Sequence, residues 1–421
     1  MRLQKGLALT LALSIAVLAG CGGTKKTETA PATTAPETKA PVEIAFWHGM
    51  DPKSAHGATL EKLVAQFNET HKDIVVKPTF QGSYADLETK LTSALAAKTP
   101  PAVVQNTDSM LTKLVTAKTV EALDIPASEK SDYAPALLTA TTYGDKLYAL
   151  PFNKSAIVLI YNKKMVQNPP KTWEEFNKVA KDLTKDGKAG TAVTADVYYF
   201  GNHLVQAGGA WLSADGKTAA FNSEAGVTAL NYIAQQAKDG IALQTKPKEY
   251  QSDYFNQGRV GMILTTSASF AFMKPVDGSE WGAAPIYTGP KNAAVPLSGA
   301  NLSIVTGLKP EQKAAAQTFA LWLTGKEGTL AWATAKTGYM PVRKSALETA
   351  EWKDFVKANP VYNALGTAVQ DGTVQPNIVN WQLIQNEVTT AVQKVFLGQA
   401  DAKTALDEAA KKANEILAKN K

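Results

Sequence analysis

The feature that most narrows the fold is an alternation of short apolar runs with amphipathic stretches over residues 42–105. Residues 42–46 read as a strand, and Leu60, Leu63, Val64 and Phe67 then recur at helical spacing within 58–68. The next apolar run is 74–76. Ser83 opens a second helix, with Asp86 placed to complete a capping box and Leu87, Leu91 and Leu95 four residues apart. Pro100 and Pro101 end that connection ahead of a third strand at 102–105. The order βαβαβ favours a parallel sheet with right-handed crossovers, because a right-twisted strand feeding a helix packs back onto the sheet only that way. The expected class is therefore α/β.

Ligands of such sheets settle outside the carboxyl ends of the strands. Three loops follow strand ends here: Trp47-His48-Gly49, Gln81-Gly82-Ser83-Tyr84 and Asn106-Thr107-Asp108. The rings of Trp47 and Tyr84 suit stacking, and Asp108 suits accepting hydrogen bonds from hydroxyls. Each also has a plainer reading, Trp47 as a core residue and Asp108 as the cap of a helix starting at Ser109. Their convergence on one sheet edge is what favours a binding site for a polar ligand with apolar faces. A second region repeats the alternation, with strands at 156–161 and 260–264 and helices at 173–183 and 222–238. Tyr198, Tyr199, Trp211, Tyr250 and Tyr254 lie between them. The C-terminal part is helical. Ile384, Val388, Val392 and Val395 share one face, and Leu406, Ala410, Ala413 and Leu417 another.

The leader sets the compartment. Arg2 and Lys5 precede an uncharged, mostly apolar stretch over 6–19, which reads as a secretory signal at 1–20 and falls short of the roughly 20 residues of a spanning helix. The stretch ends Leu18-Ala19-Gly20-Cys21, which resembles a bacterial lipobox with Cys21 as the lipidated first residue of the mature chain. The other reading is an A-x-A-type cleavage that leaves Cys21 a free thiol. Residues 24–40 mix Thr, Lys, Glu, Ala and Pro without apolar periodicity, as a flexible tether does, so 21–41 is expected to leash a soluble body to the membrane. The expected location is extracytoplasmic, anchored by lipid.

Chemistry is sparse. The chain's 421 residues are 45% hydrophobic and 19% charged, ample for real cores and too apolar for disorder. One cysteine excludes a disulfide framework and multi-cysteine metal sites. The net charge of +6 is modest, and no basic block interleaves with aromatics, so nucleic acid is not an expected partner. No G-x-S-x-G, H-E-x-x-H or G-x-G-x-x-G occurs, and histidines 48, 56, 71 and 203 lack metal-ligand spacing. Gly216-Lys217-Thr218 imitates the end of a P-loop, but Trp211 stands where its first glycine belongs. Glu174 and Glu175 are neighbours on a helix and splay apart rather than face one substrate. No catalytic residue, metal or cofactor is expected.

Four stretches resemble the extracellular solute-binding proteins of ATP-driven importers, in the large carbohydrate-binding family. They are Ile44-Ala45-Phe46-Trp47-His48-Gly49-Met50, Pro151-Phe152-Asn153 with the run from Val158 to Lys163, Lys171-Thr172-Trp173-Glu174-Glu175-Phe176, and Thr337-Gly338-Tyr339-Met340-Pro341. The similarity spans about 42–421 and is nearest to the branch that binds glycerol-3-phosphate. It implies a periplasmic-binding-protein-like fold with a ligand cleft at the hinge. Its two α/β lobes would be 42–152 plus 300–340 and 153–299 plus 341–421. It also implies hinge closure over a small solute, and delivery of that solute to permease transmembrane subunits by a monomer.

The same resemblance implies a pocket. Tyr84 matches an aromatic of the first lobe, and Asp108 a carboxylate that contacts hydroxyls. Ser155 matches a crossover serine, while Thr266, Ser267 and Ser269 match a polar loop. Gly299 matches a backbone amide donor and Tyr339 a hinge tyrosine. One departure matters: Trp381 stands where that branch has a phosphate-holding arginine, and residues 344–421 contain no arginine at all. A phosphate in a closed cleft wants charge-assisted donors, whereas an indole suits the C–H face of a sugar. A neutral carbohydrate is thus favoured over glycerol-3-phosphate or a glycerophosphodiester. Lys154 or backbone amides are the groups that would otherwise hold an anion, and Trp381 itself has the plainer reading of a core residue at a helix start. A secreted carbohydrate-active enzyme would need two carboxylates facing across the cleft.

Overall fold

The computed structural model describes residues 40–419 apart from 248, 276, 367 and 369–371. The signal at 1–20, Cys21 and the tether up to residue 39 lie outside the described residues. No helix among those described is long and apolar enough to cross a membrane.

Among the described residues, twelve strands carry the fold. They are β1 Val42–His48, β2 Ile74–Phe80, β3 Val103–Thr107, β4 Thr142–Tyr143, β5 Lys146–Leu147, β6 Leu150–Asn162, β7 Ala189–Val193, β8 Ala242–Gln244, β9 Val260–Thr266, β10 Trp281–Pro285, β11 Val295–Ile304 and β12 Gly372–Thr373. The main sheet runs β2-β1-β3-β11-β6-β9-β7-β8, with β10 added to β6 and β12 to β11. β1 is parallel to β2 and β3, and β7 is parallel to β8 and β9. The parallel strands are those joined through helices, as crossover connections require. β6 and β11 run antiparallel to each other and link the two parallel sets: β11 pairs with β3 and β6, and β6 continues onto β9 and β10.

The helices form where the sequence punctuates them. Ser54 caps the helix Ala55–Thr70, which buries Leu60, Leu63, Val64 and Phe67. Ser83 and Asp86 close a reciprocal capping box on Tyr84–Ala96, which buries Leu87 and Leu91 and leaves Leu95 half-buried. The helix Trp173–Leu183 starts behind Thr172, whose side chain accepts from Glu175 N. At the C-terminal end, Trp381–Phe396 and Ala402–Ala418 bury the two apolar faces read from the sequence.

Alternation along β6 and β9 divides the core. Val158, Ile160 and Ile263 join one buried cluster with Phe46, Phe67 and Phe319, while Leu159, Met262 and Leu264 join another with Phe200, Leu230 and Val388. Successive strand residues point to opposite faces, so a strand covered on both sides must be apolar at every position. The segment after Met340 fastens onto helices of the first half. Val342 N donates to Thr329 Oγ1 at 2.9 Å, Arg343 Nη1 donates to the Glu129 carbonyl at 2.8 Å, and Ser345 N donates to Asp132 Oδ1 at 2.8 Å.

Two buried histidines tie this core to pH. His203 has Nδ1 2.8 Å from the Tyr199 carbonyl and Nε2 3.1 Å from the Tyr287 hydroxyl, and His48 Nδ1 accepts from Met50 N at 3.4 Å. Burial lowers each to about 4, so both stay neutral in the fold at pH 7. A depressed histidine lets the unfolded chain bind protons that the folded chain refuses. Stability should therefore be level above about pH 7 and fall as pH drops from about 6.5 towards 4, by up to about 1.4 kcal/mol per pH unit for each histidine. Denaturant titrations across this range should show the slope, to which His56, also buried and lowered, adds, and His203→Gln should flatten it in part.

Candidate functional site

Where the two parallel sets meet, a cleft of about 320 Å³ opens. One wall is the end of β3 and the start of the helix Asp108–Thr116, presenting Thr107, Asp108 and Ser109. The opposite wall is the helix Val197–Gln206, with Tyr198 and Asn202 facing the cavity, backed by Trp211, Trp381 and Gln385. Ile157 of β6, Thr266 at the end of β9 and 296–299 of β11 form the floor. Residues 373–376 form a strap along its side. Just beyond, Asn377 Nδ2 donates to the carbonyls of Thr139 and Thr142 at 2.9 and 2.8 Å, tying the strap's end to the segment around β4.

Asp108 is the only charged residue lining the cleft among those described. The helix does not need it as a cap, because Thr107 accepts from Met110 N in that role. Its carboxylate is free for other partners. Oδ1 accepts from Asn301 Nδ2 at 2.8 Å and from Lys154 Nζ at 3.2 Å. Lys154 is almost fully buried, with its side chain 2% exposed, against 31% for Asp108. Nearby, Tyr143 and Thr112 share a 2.7 Å hydroxyl contact, and burial pushes the Tyr143 phenol up to about 12, with the Asp108 charge adding to the shift.

The ten residues expected in a pocket divide into three groups. Asp108, Thr266, Gly299 and Trp381 line the cleft. Tyr84 and Tyr339 gather instead on Asn153, whose Oδ1 accepts from Gln105 Nε2 at 3.0 Å. Gln105 in turn accepts from Gly49 N at 3.0 Å, and burial raises both phenols above the ordinary tyrosine range, so they stay hydroxyls. Trp47 packs half-buried beside Tyr84 against the cluster of Leu87 and Leu91. Ser155 is buried on β6. Ser267 Oγ accepts from Ala156 N at 3.3 Å, and Ser269 Oγ donates to the Thr266 carbonyl at 2.7 Å, so both hydroxyls hold backbone.

Trp381 sits 3% exposed, its Nε1 donating to Gln375 Oε1 at 3.0 Å and its ring edge-on to Trp211 at 5.4 Å. Its N–H is thus committed within the protein. Tyr198, 56% exposed, is the aromatic surface more open to a solute. Residues that the sequence reading did not assign to the pocket also shape the cleft: Tyr198, Asn202, Gln375 and Gln385, with Lys154 and Asn301 behind Asp108. Lys154 and Asn301 did leave a faint signal, each being a polar residue inside a strand.

Comparison with known proteins agrees with this geometry. A family model described as bacterial extracellular solute-binding protein matches residues 62–360. The chain is 26% identical over 423 residues to the sn-glycerol-3-phosphate-binding periplasmic protein UgpB of Rhizobium meliloti, covering 91% of this chain and 95% of that one. UgpB of Shigella dysenteriae is 25% identical, covering 89% and 92%. Among solved structures, the cyclic alpha-maltosyl-1,6-maltose binding protein from Arthrobacter globiformis superposes with a TM-score of 0.78 at 23% identity, covering 90% of this chain and 99% of that one. UgpB from Mycobacterium tuberculosis in complex with glycerophosphocholine gives 0.77 at 23%, covering 90% and 98%. These structural likenesses show the two-lobed α/β fold.

Gly299 is the tightest point of the floor. Its φ of +124° lies where side-chain-bearing residues are strained, and an added Cβ would fall 1.9 Å from the Asn153 carbonyl oxygen. Gly299→Ala should cost about 3 kcal/mol through strain and overlap together, read as a lower denaturation midpoint with an unchanged m-value.

Proposed function

Because the chain belongs to the bacterial extracellular solute-binding protein family, we propose that it captures a neutral, carbohydrate-type solute in this cleft and passes it to the permease of an ATP-driven importer. One observation carries the choice of ligand. Among the described residues, the cleft offers a single carboxylate, surrounded by hydroxyls, carboxamides and aromatic rings, and no lysine or arginine lines it. A sugar presents hydroxyls that donate to Asp108 and apolar faces that pack on rings such as Tyr198. A phosphate would meet a carboxylate with no facing guanidinium fork, a poor exchange for its water. The relatives named for sn-glycerol-3-phosphate make that compound the competing ligand. A glycoside hydrolase would need a second carboxylate across the cleft, and among the described residues the lining carries one.

In this reading Asp108, Thr266, Gly299 and Trp381 touch the solute, while Trp47, Tyr84, Ser155, Ser267, Ser269 and Tyr339 support the hinge side. The two lobes are 42–152 plus 300–340 and 153–299 plus 341–421, with 341–347 riding on the first lobe through Val342, Arg343 and Ser345. Closure is hinge bending about β6 and β11, favoured by a solute that contacts both walls. The strap is the clasp of the closed form, held by Asn377. Cys21 carries the lipid that keeps the protein on the membrane, and the working form is a monomer.

The test is thermal stability of residues 42–421, refolded to strip ligand, against neutral mono- and disaccharides, glycerol-3-phosphate and glycerophosphodiesters. A ligand at 100 times its Kd should stabilise the fold by about 2.7 kcal/mol. Response to an unmodified sugar is the expected result, and response to the phosphorylated compounds alone would overturn the ligand assignment. Asn377→Ala removes the two neutral hydrogen bonds that tie the strap's end to Thr139 and Thr142. It should weaken solute binding by roughly tenfold, chiefly by faster release, as stopped-flow dissociation would show.

A further inference from the structure

Among the described residues, Lys154 is the cation in direct contact with the cleft's carboxylate, Asp108. It sits on β6, where the strand crosses between the halves, opposite Gly299 of β11, and its carbonyl accepts from Met340 N at 2.9 Å. The backbone is therefore anchored on both sides. The residue as a whole is 1% exposed, and the hydrogen bond that its ammonium makes within the protein goes to Asp108 Oδ1 at 3.2 Å. Asn301 Nδ2 donates to the same oxygen at 2.8 Å. Both donors fall on Oδ1, and Oδ2 takes no hydrogen bond from the described residues. Asn301, itself buried on β11, fixes the carboxylate from the other strand of the crossover.

A buried ammonium is tolerated only beside a counter-charge, and an unpaired charge at a closed site selects ligands of the opposite sign. We infer that Lys154 is a specificity-determining residue: by compensating Asp108 from beneath, it keeps the cleft electrically neutral while leaving Oδ2 to accept solute hydroxyls. The inference rests on the carbohydrate reading of the site and adds the reason why a cleft with a lone carboxylate does not select cations. It also assigns the ammonium to Asp108 and not to an anionic solute. The selectivity arises by exclusion, because a charged solute would bring a net charge into a site whose own charges cancel.

The experiment uses wild type, Lys154→Met, Lys154→Gln, Asp108→Asn and the Lys154→Met/Asp108→Asn double variant. Circular dichroism and thermal melts establish folding. Isothermal titration at pH 6.5 then follows the neutral sugar giving the largest stabilisation, with its amino and uronic acid analogues; glucose, glucosamine and glucuronate are the starting set. Lys154→Met and Lys154→Gln should shift the amino-to-neutral affinity ratio at least tenfold towards the amino sugar. Asp108→Asn should shift the uronate-to-neutral ratio at least tenfold the other way, and the double variant should restore preference for the neutral sugar. Ratios within twofold of wild type in all variants, or a Lys154→Gln protein as selective as wild type, would overturn the inference. If no sugar binds any variant, the carbohydrate reading fails. The melts then decide the pairing alone: a double variant no less stable than the worse single variant supports it, and strictly additive losses sink it.

Discussion

The close approach of β11 to β6 at Gly299 is the constraint on which the rest of the molecule depends. With no Cβ at 299, the β11 backbone lies against Asn153 and Lys154, and the register shifts between Gly299 and Asn301. That irregularity lets one pair of long strands serve both halves: residues 150–156 pair with β11, and 157–161 continue onto β9. The cleft lies beside the place where this sharing happens. Lys154 and Asn301 come from the two crossover strands, and Asp108 is delivered to them by the end of β3. The cleft's carboxylate is thereby held by the two crossover strands.

Much of the fold was legible because its physics is local. Ser83 with Asp86, and the apolar spacings of 58–68, 384–395 and 406–417, encode helices whose caps and buried faces appear where expected. The strand at 156–161 was read as a short buried run, whereas β6 extends from Leu150 to Asn162. Asn153, Lys154 and Ser155 broke the apolar pattern and hid its first half. Polar residues in the middle of a strand are invisible to periodicity. They are intelligible once a partner from a distant segment is known, here Gln105 for Asn153 and Asp108 for Lys154.

The site was legible only in part, for a related reason. Asp108 follows a strand end that sequence order alone suggests, whereas Thr266, Gly299 and Trp381 were matched through the family resemblance, and all four line the cleft. Tyr84 and Tyr339, matched by family pattern, belong to the Asn153 group, and Ser267 and Ser269 spend their hydroxyls on Ala156 and Thr266. Nothing in a sequence tells whether a serine hydroxyl faces a cavity or a backbone group, because that depends on the local turn geometry, here the tight turn over Ser267–Phe272. The strap was equally hidden, since Asn377 finds Thr139 and Thr142 across more than two hundred residues.

Neither wall alone makes a binding site. The first supplies Asp108 with one free oxygen, and the second supplies Tyr198, Asn202 and the Trp211–Trp381 pair. A solute engaging only one wall would keep most of its hydration and bias no equilibrium, since a ligand shifts a conformational balance only by its differential affinity for the two states. Charge compensation by Lys154 matters to this balance as well as to selectivity. An uncompensated carboxylate would be better solvated in the open form and would oppose closure whenever the cleft is empty or filled by a neutral solute. With Lys154 and Asn301 already satisfying Oδ1, closure costs only the water on Oδ2, which a single solute hydroxyl can replace. If the cleft closes as proposed, the ion pair would let a neutral molecule, with no charge of its own to draw the walls together, be sufficient to shut it.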